Sequence, residues 1–144
     1  MPWTLAYTPQ FPFIFDDTTA ANLSLYAAID PDKASAMLVE LGLAHHGLDR
    51  RFQMGGRISA DSVSGGEARR LGLIRSALQP SDAWLLDEPL VGLDEQAVDA
   101  LIGLLEAYRG TLIIVSHDER VSRLSGLTPV ALDGVTARSA GRPT

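Results

Sequence analysis

Residues 83–89 read Ala83-Trp84-Leu85-Leu86-Asp87-Glu88-Pro89, an apolar run that ends on two adjacent carboxylates and a proline. Four apolar residues in a row, with an abrupt polar exit, read as a buried strand delivering its acids to the sheet edge. Downstream, Asp94 is placed to cap an amphipathic helix with an inner face of Ala97, Leu101, Leu104, Leu105 and Tyr108, closed by Gly110. Thr111 to Val115 is a β-branched run, read as a second buried parallel strand, and a short helix is expected after Ser116. Strand, helix, strand in this order predicts an α/β chain with a parallel sheet and helical crossovers. In such sheets the chemistry gathers at the carboxyl ends of the strands.

Upstream, Trp3 to Thr8 reads as a short strand stopped by Pro9, followed by the aromatic loop Phe11-Pro12-Phe13-Ile14-Phe15. Asp16-Asp17-Thr18-Thr19 offers caps for a helix running through Ala28. Asp30-Pro31 opens a second helix, with Ala34, Met37, Leu38 and Leu41 on one face and Gly42 at its end. Gly47 to Ser62 is polar and irregular, a connector, and His45 and His46 beside it read as surface residues without partners. From Ser64 a third helix is expected, with Leu71, Ile74 and Leu78 sharing a face and Pro80 beyond its end. Pro129 to Ala137 reads as a hairpin turning at Asp133-Gly134, ahead of a frayed tail.

The chain has 144 residues, 46% of them hydrophobic and 21% charged, which is ordinary for a globular domain and argues against disorder. Its formal charge is -6, so it lacks the basic footprint of a nucleic-acid binder. With no cysteine, disulfides, zinc ribbons and thiol chemistry are excluded. No apolar run approaches the ~18 residues of a membrane span, and Met1-Pro2-Trp3-Thr4 does not open a signal peptide. A soluble cytoplasmic protein is expected.

Four clusters carry chemistry. Val63-Ser64-Gly65-Gly66-Glu67 sets two glycines at a helix start, where exposed N–H groups and the helix dipole favour an anion. Taken alone, Ser64 and Glu67 also have the spacing of a capping box. Asp87 and Glu88 can place a Mg²⁺ ligand beside a water-activating base, or be two solvated surface acids. Val91-Gly92-Leu93-Asp94 is a turn with a cap. Ile113-Ile114-Val115-Ser116-His117-Asp118 brings a histidine to a strand end, where it can bond a γ-phosphate or an attacking water.

In their order and spacing these clusters resemble those of ATP-binding cassette domains, over roughly Leu5 to Leu132. Val63 to Glu67 resembles the family signature, Leu86-Asp87-Glu88 the Walker B segment, Gly92-Leu93-Asp94 the D-loop and His117 the switch histidine. Thr8-Pro9-Gln10, followed by Pro12 to Thr18, is similar to the Q-loop and the entry to a helical subdomain. The Phe13 to Asn22 segment is similar to exporters of the cysteine/glutathione type that serve cytochrome bd assembly.

The resemblance implies a P-loop NTPase-like half sheet (1–18 and 81–137) around a helical signature subdomain (19–80), with a tail at 138–144. It implies Glu88 and His117 as catalytic residues, and Asp87 with Gln10 as Mg²⁺ ligands. Ser64, Gly65, Gly66, Glu67, Gln10 and Asp94 would contact ATP.

The family grips triphosphate with G-x-x-x-x-G-K-[ST], and these 144 residues contain no Gly-Lys pair; Lys33, the only lysine, falls in an expected helix. Two departures accompany this. The signature carries Val63 and Glu67 where leucine and glutamine are commonest, and Met54-Gly55-Gly56-Arg57 has no glutamate before it. The expectation is a truncated or split subunit that joins a composite ATP and Mg²⁺ site. Its partners would be a P-loop-bearing chain or segment, a second ATPase domain and a transmembrane subunit, at the inner face of the membrane. An unpaired sheet edge predicts self-association. Two other readings stay open. Heads of DNA-repair and chromosome-maintenance ATPases carry a Ser-Gly-Gly-Glu signature too, but insert a long coiled coil that the segment from Gln10 to Ser64 lacks. A catalytically dead, partner-binding remnant is the third.

Overall fold

The computed structural model describes residues 2–53 and 63–130. Three strands, β1 (Leu5–Thr8), β2 (Ala83–Asp87) and β3 (Thr111–Val115), form one parallel sheet in the order β1-β2-β3. Between β1 and β2 lie α1 (Thr19–Ser24), α2 (Pro31–Glu40) and α3 (Gly65–Leu78); α4 (Glu95–Ala107) crosses from β2 to β3, and a 3₁₀ turn, Glu119–Arg123, follows. The α/β class and the alternation of strand with helix are as the sequence predicts.

Each main helix starts on a residue whose side chain accepts the orphan N–H groups of the first turn. Thr18 accepts from Ala21, Asp30 from Asp32 and Lys33, Ser64 from Glu67, and Asp94 from Ala97. Ala34, Met37, Leu38 and Leu41 are all buried, and Gly42 takes a left-handed φ of 71° just after α2. Leu23, Leu71, Ile74, Leu86, Leu101 and Leu105 bring α1, α3, β2 and α4 into one core.

Inside this core, Trp84 Nε1 donates to Thr8 Oγ1 at 2.8 Å, and Thr8 Oγ1 donates to Ser76 Oγ at 2.7 Å. Ser76 Oγ donates in turn to the Tyr7 carbonyl at 3.2 Å. A polar chain thus ties β2, β1 and α3 with every buried member satisfied.

The strands alternate faces, and among the described residues only one face is covered. Ala6, Trp84 and Leu112 share a register row on the helix side, where Ala6 and Trp84 are buried. The next row, Tyr7, Leu85 and Ile113, lies on the other side, where Tyr7 and Ile113 are 52% and 50% exposed. Leu5 and Val115 extend that apolar face and are exposed too.

Several expectations are corrected. β3 is parallel but not buried, because it is an edge strand whose outer face has no cover among the described residues. α1 ends at Ser24 rather than Ala28: Leu25 and Tyr26 turn left-handed at φ 51° and 63°. There the Tyr26 N–H is taken by Ser24 Oγ, and its hydroxyl donates to Asp17 Oδ2 at 2.7 Å. Gly110 does not close α4, which is capped by Tyr108 in extended backbone; a Cβ at Gly110 would lie 2.5 Å from the Asp82 carbonyl. His46 is buried, not on the surface. The expected hairpin, the tail, the Met54–Arg57 stretch and most of the connector lie outside the described residues.

Candidate functional site

Parallel pairing puts the ends of all three strands at one edge, and three of the four clusters gather there. Asp87 is the last residue of β2, in register with Val115 at the end of β3. Thr8, the end of β1, pairs with Leu86, so the Pro9-Gln10 turn leaves the sheet beside Asp87.

Glu88 extends the ladder one step, donating its N–H to the Val115 carbonyl at 2.8 Å, while its own φ is 48°. A left-handed backbone at a non-glycine costs on the order of 1–3 kcal/mol and persists only where the surroundings enforce it. Here it turns the carboxylate back over the edge toward β3. His117 Nδ1 lies 2.5 Å from Glu88 Oε1, and the His117 N–H donates to Oε2 at 3.3 Å. That imidazole holds the Glu88 carboxyl below its ordinary value, against a smaller opposing effect of burial. The Glu88 carboxylate in turn raises His117. The two shifts favour the charged form of each partner, and the ring is almost fully open to solvent.

The signature-like cluster sits at the start of α3. Ser64 Oγ accepts from the Glu67 N–H at 3.2 Å and the Ser64 N–H donates to Glu67 Oε2 at 3.1 Å, a complete capping box. The capping-box reading of this motif is thus realised. A Cβ at Gly65 would meet nothing within 4 Å, so the helix start is open to a ligand. At Gly66 a Cβ would come 3.8 Å from the Gly92 carbonyl, which sets the signature-like turn against the Gly92-Leu93-Asp94 turn. Asp94 itself caps α4, its Oδ1 accepting from Ala97 at 2.8 Å.

Two arginines that the sequence did not single out lock these turns. Arg69 donates from Nε to the Gln10 carbonyl at 3.1 Å and from Nη1 to the Val91 carbonyl at 3.4 Å, joining α3 to the turns after β1 and β2. Arg120 pairs with Asp118 at 2.6 Å and Glu95 at 3.0 Å, and donates to the Leu90 and Leu93 carbonyls, each at 3.4 Å. It ties the turn after β3 to the turn after β2 and drives the Asp118 carboxyl down to about 2. Gly72 permits a further close approach: a Cβ there would lie 2.6 Å from Pro12 Cγ. The aligned acidic–basic spacing of Asp118 and Arg120 was the one signal in the sequence for these clamps.

The oxygen donors of Asp87 and Gln10 at the strand ends suit a hard divalent cation such as Mg²⁺. Among the described residues the only lysine, Lys33, lies in α2. Among the described residues no helix is long and apolar enough to cross a membrane.

The profile of the family described as ABC transporter matches residues 2–91. The chain is 33% identical over 132 residues to the cytochrome c biogenesis ATP-binding export protein CcmA 2 of Cupriavidus metallidurans, covering 90% of this chain and 61% of that one. It is 34% identical over 138 residues to the glutathione/L-cysteine transport system ATP-binding/permease protein CydC of Bacillus subtilis, covering 90% of this chain and 24% of that one. Among solved structures, an archaeal ribosome recycling factor, aABCE1, in complex with the stalk protein aP1 superposes with a TM-score of 0.64 at 28% identity, over 87% of this chain and 24% of that one. A bacterial Atm1-family ABC exporter with ATP bound superposes at 0.65 with 22% identity, a likeness of fold. The chain spans about three fifths of the CcmA 2 protein and a quarter of CydC.

Proposed function

The chain belongs to the ABC transporter family of ATP-binding domains, and from that premise we propose that it supplies the signature, Walker B and switch parts of a composite ATPase site. The observation that carries this is the open apolar row Tyr7–Leu85–Ile113, on the same sheet whose carboxyl edge bears Asp87, Glu88 and His117. An apolar face of this kind needs a partner. A P-loop-bearing segment seated on it would bring its lysine and glycine cradle to that edge.

In the composite site Asp87 and Gln10 would hold Mg²⁺, which would supply charge neutralisation for the phosphates. Glu88 orients and polarises the attacking water, and His117 fixes the Glu88 carboxylate while its ring reaches the γ-phosphate side. Ser64, Gly65 and Gly66, with Glu67 holding their turn and Asp94 nearby, face a nucleotide carried by a second ATPase domain. Gly66 and Gly92 adjoin, which supports one shared surface for both turns. The division into sheet segments (1–18, 81–137) and a helical part (19–80) belongs to the same proposal.

Likeness to CydC and to CcmA 2, whose names describe a transport system and an export protein, supports work beside a transmembrane subunit at the cytoplasmic face of a membrane. Co-expression with the P-loop-bearing N-terminal half of a related ATPase tests the reading. A stoichiometric complex that hydrolyses MgATP, and stops doing so with Glu88→Gln, supports it. No complex, or a complex in which Tyr7 stays as open to labelling as in the lone chain, contradicts it.

A further inference from the structure

His45, His46 and Glu67 meet where the end of the turn after α2 touches the first turn of α3. His45 Nε2 lies 3.2 Å from Glu67 Oε1, and His46 Nε2 lies 3.5 Å from Glu67 Oε2. The two imidazoles lie with centroids 4.1 Å apart and planes tilted by 41°. One donor atom from each residue falls within 4.8 Å of the others. Tetrahedral zinc, with bonds of roughly 2.0–2.2 Å to nitrogen and oxygen, sets its ligand atoms about 3.3–3.5 Å apart. The histidine–glutamate separations, 3.2 Å to Oε1 and 3.5 Å to Oε2, are close to that size, and a small turn of the carboxylate presents one oxygen to both rings.

His46 makes the second, independent observation. Its side chain is wholly enclosed, edge-on to Phe52, and neither ring nitrogen has a hydrogen-bond partner. The approach to Glu67 Oε2 is near enough for charge interaction but does not form a hydrogen bond. A buried polar atom left without a partner is rare and calls for an ordered water or an ion beside it. Burial first, then the charges of His45 and Arg50, push the His46 ring toward its neutral form against the pull of Glu67. Neutral imidazole is the form that ligates a metal. Burial acts to raise Glu67, but the Ser64 N–H and the two histidines outweigh it, so the carboxyl stays ionised.

We propose that His45, His46 and Glu67 form a site for a borderline divalent metal of the Zn²⁺ class, with water at the fourth position, at the base of the signature-like turn. Nitrogen, nitrogen and oxygen donors select Zn²⁺, Co²⁺ or Ni²⁺ over Mg²⁺ and Ca²⁺. The Ser64 N–H, bonded to Glu67 Oε2, acts as the outer partner that orients the carboxylate. Metal at this point cross-links the Leu43–His46 turn to α3 and holds Ser64 and Gly65 in place. The proposal does not depend on the ATPase reading, since it concerns metal binding by the lone chain.

Zn²⁺ and Co²⁺ titrations of the 144-residue chain, followed by calorimetry, melting temperature and the visible band of four-coordinate Co²⁺, test it. The expected result is one Zn²⁺ per chain, a raised melting temperature and a Co²⁺ band. Affinity should fall at least tenfold in His45→Ala, whose side chain is half exposed, and in Glu67→Gln. His46→Leu should abolish the Co²⁺ band while its metal-free melting temperature stays equal or rises, which separates ligation from packing. His117→Ala, which removes the only other imidazole–carboxylate pair among the described residues, should leave Zn²⁺ affinity unchanged. Equal affinity in the chain and in His45→Ala, loss of binding in His117→Ala, or no binding at micromolar Zn²⁺ would overturn the site.

Discussion

Glu88 Oε1 and His117 Nδ1 lie 2.5 Å apart, bridging the ends of β2 and β3 across the carboxyl edge of the sheet. Their shifts oppose each other in the direction an ion pair requires. The His117 contribution is present in full below its ordinary value of 6.5 and is lost as pH rises through its raised folded value. The Glu88 contribution is present in full above 4.5 and is lost as pH falls through its lowered folded value. The contact is thus strongest between those limits, and solvent around the exposed ring keeps its effect on stability small. Proton NMR titration should show His117 titrating above 6.5, and Glu88→Gln should return it to the ordinary value. Identical titration in both proteins would dissolve the pair.

Replacing Glu88 by glutamine keeps size and removes charge. In the assembled site this should lower MgATP hydrolysis by about 100-fold or more while nucleotide binding persists, as expected when a general base is lost. Single-turnover hydrolysis and a binding titration on the same sample separate the two effects. A proportional loss of binding and turnover would assign Glu88 to positioning of the nucleotide instead.

The Trp84–Thr8–Ser76 chain is buried and complete, which makes it costly to interrupt. Thr8→Val preserves shape but orphans the Trp84 N–H, and should cost about 1–3 kcal/mol in urea unfolding. A change within a few tenths would mean that the indole finds another acceptor.

An open apolar face at Tyr7, Ile113 and Val115 should make the lone chain associate at raised concentration. Ile113→Lys, on the edge strand, should shift sedimentation toward monomer without altering the circular dichroism spectrum. Unchanged association would place the contact elsewhere.

Much of this arrangement is legible in the residues because local rules and global fold agree. The apolar run closing on Asp87-Glu88 and the caps Asp30, Ser64 and Asp94 act within a few residues, where propensity and side-chain reach decide. What stayed hidden depends on contacts distant in sequence. The polarity around His46 concealed that its turn folds under α3, against Phe52. Leu25 and Tyr26 turn left-handed, and the tyrosine hydroxyl then donates to Asp17, nine residues away. β3 has the β-branched composition of a buried strand, and its exposure follows from edge position, which composition does not encode. Arg69 gave no signal, since its acceptors are backbone carbonyls of other turns.

The composite-site account turns on whether these residues can grip triphosphate alone. Loss of a single strong donor typically costs about 100- to 1000-fold, and the proposal assigns both the cradle and its lysine to a partner segment. Calorimetric titration of MgATP into the 144-residue chain, alone and then with a P-loop-bearing fragment, is the direct measurement. The account predicts no micromolar binding alone and its appearance on mixing; micromolar affinity in the lone chain would contradict it.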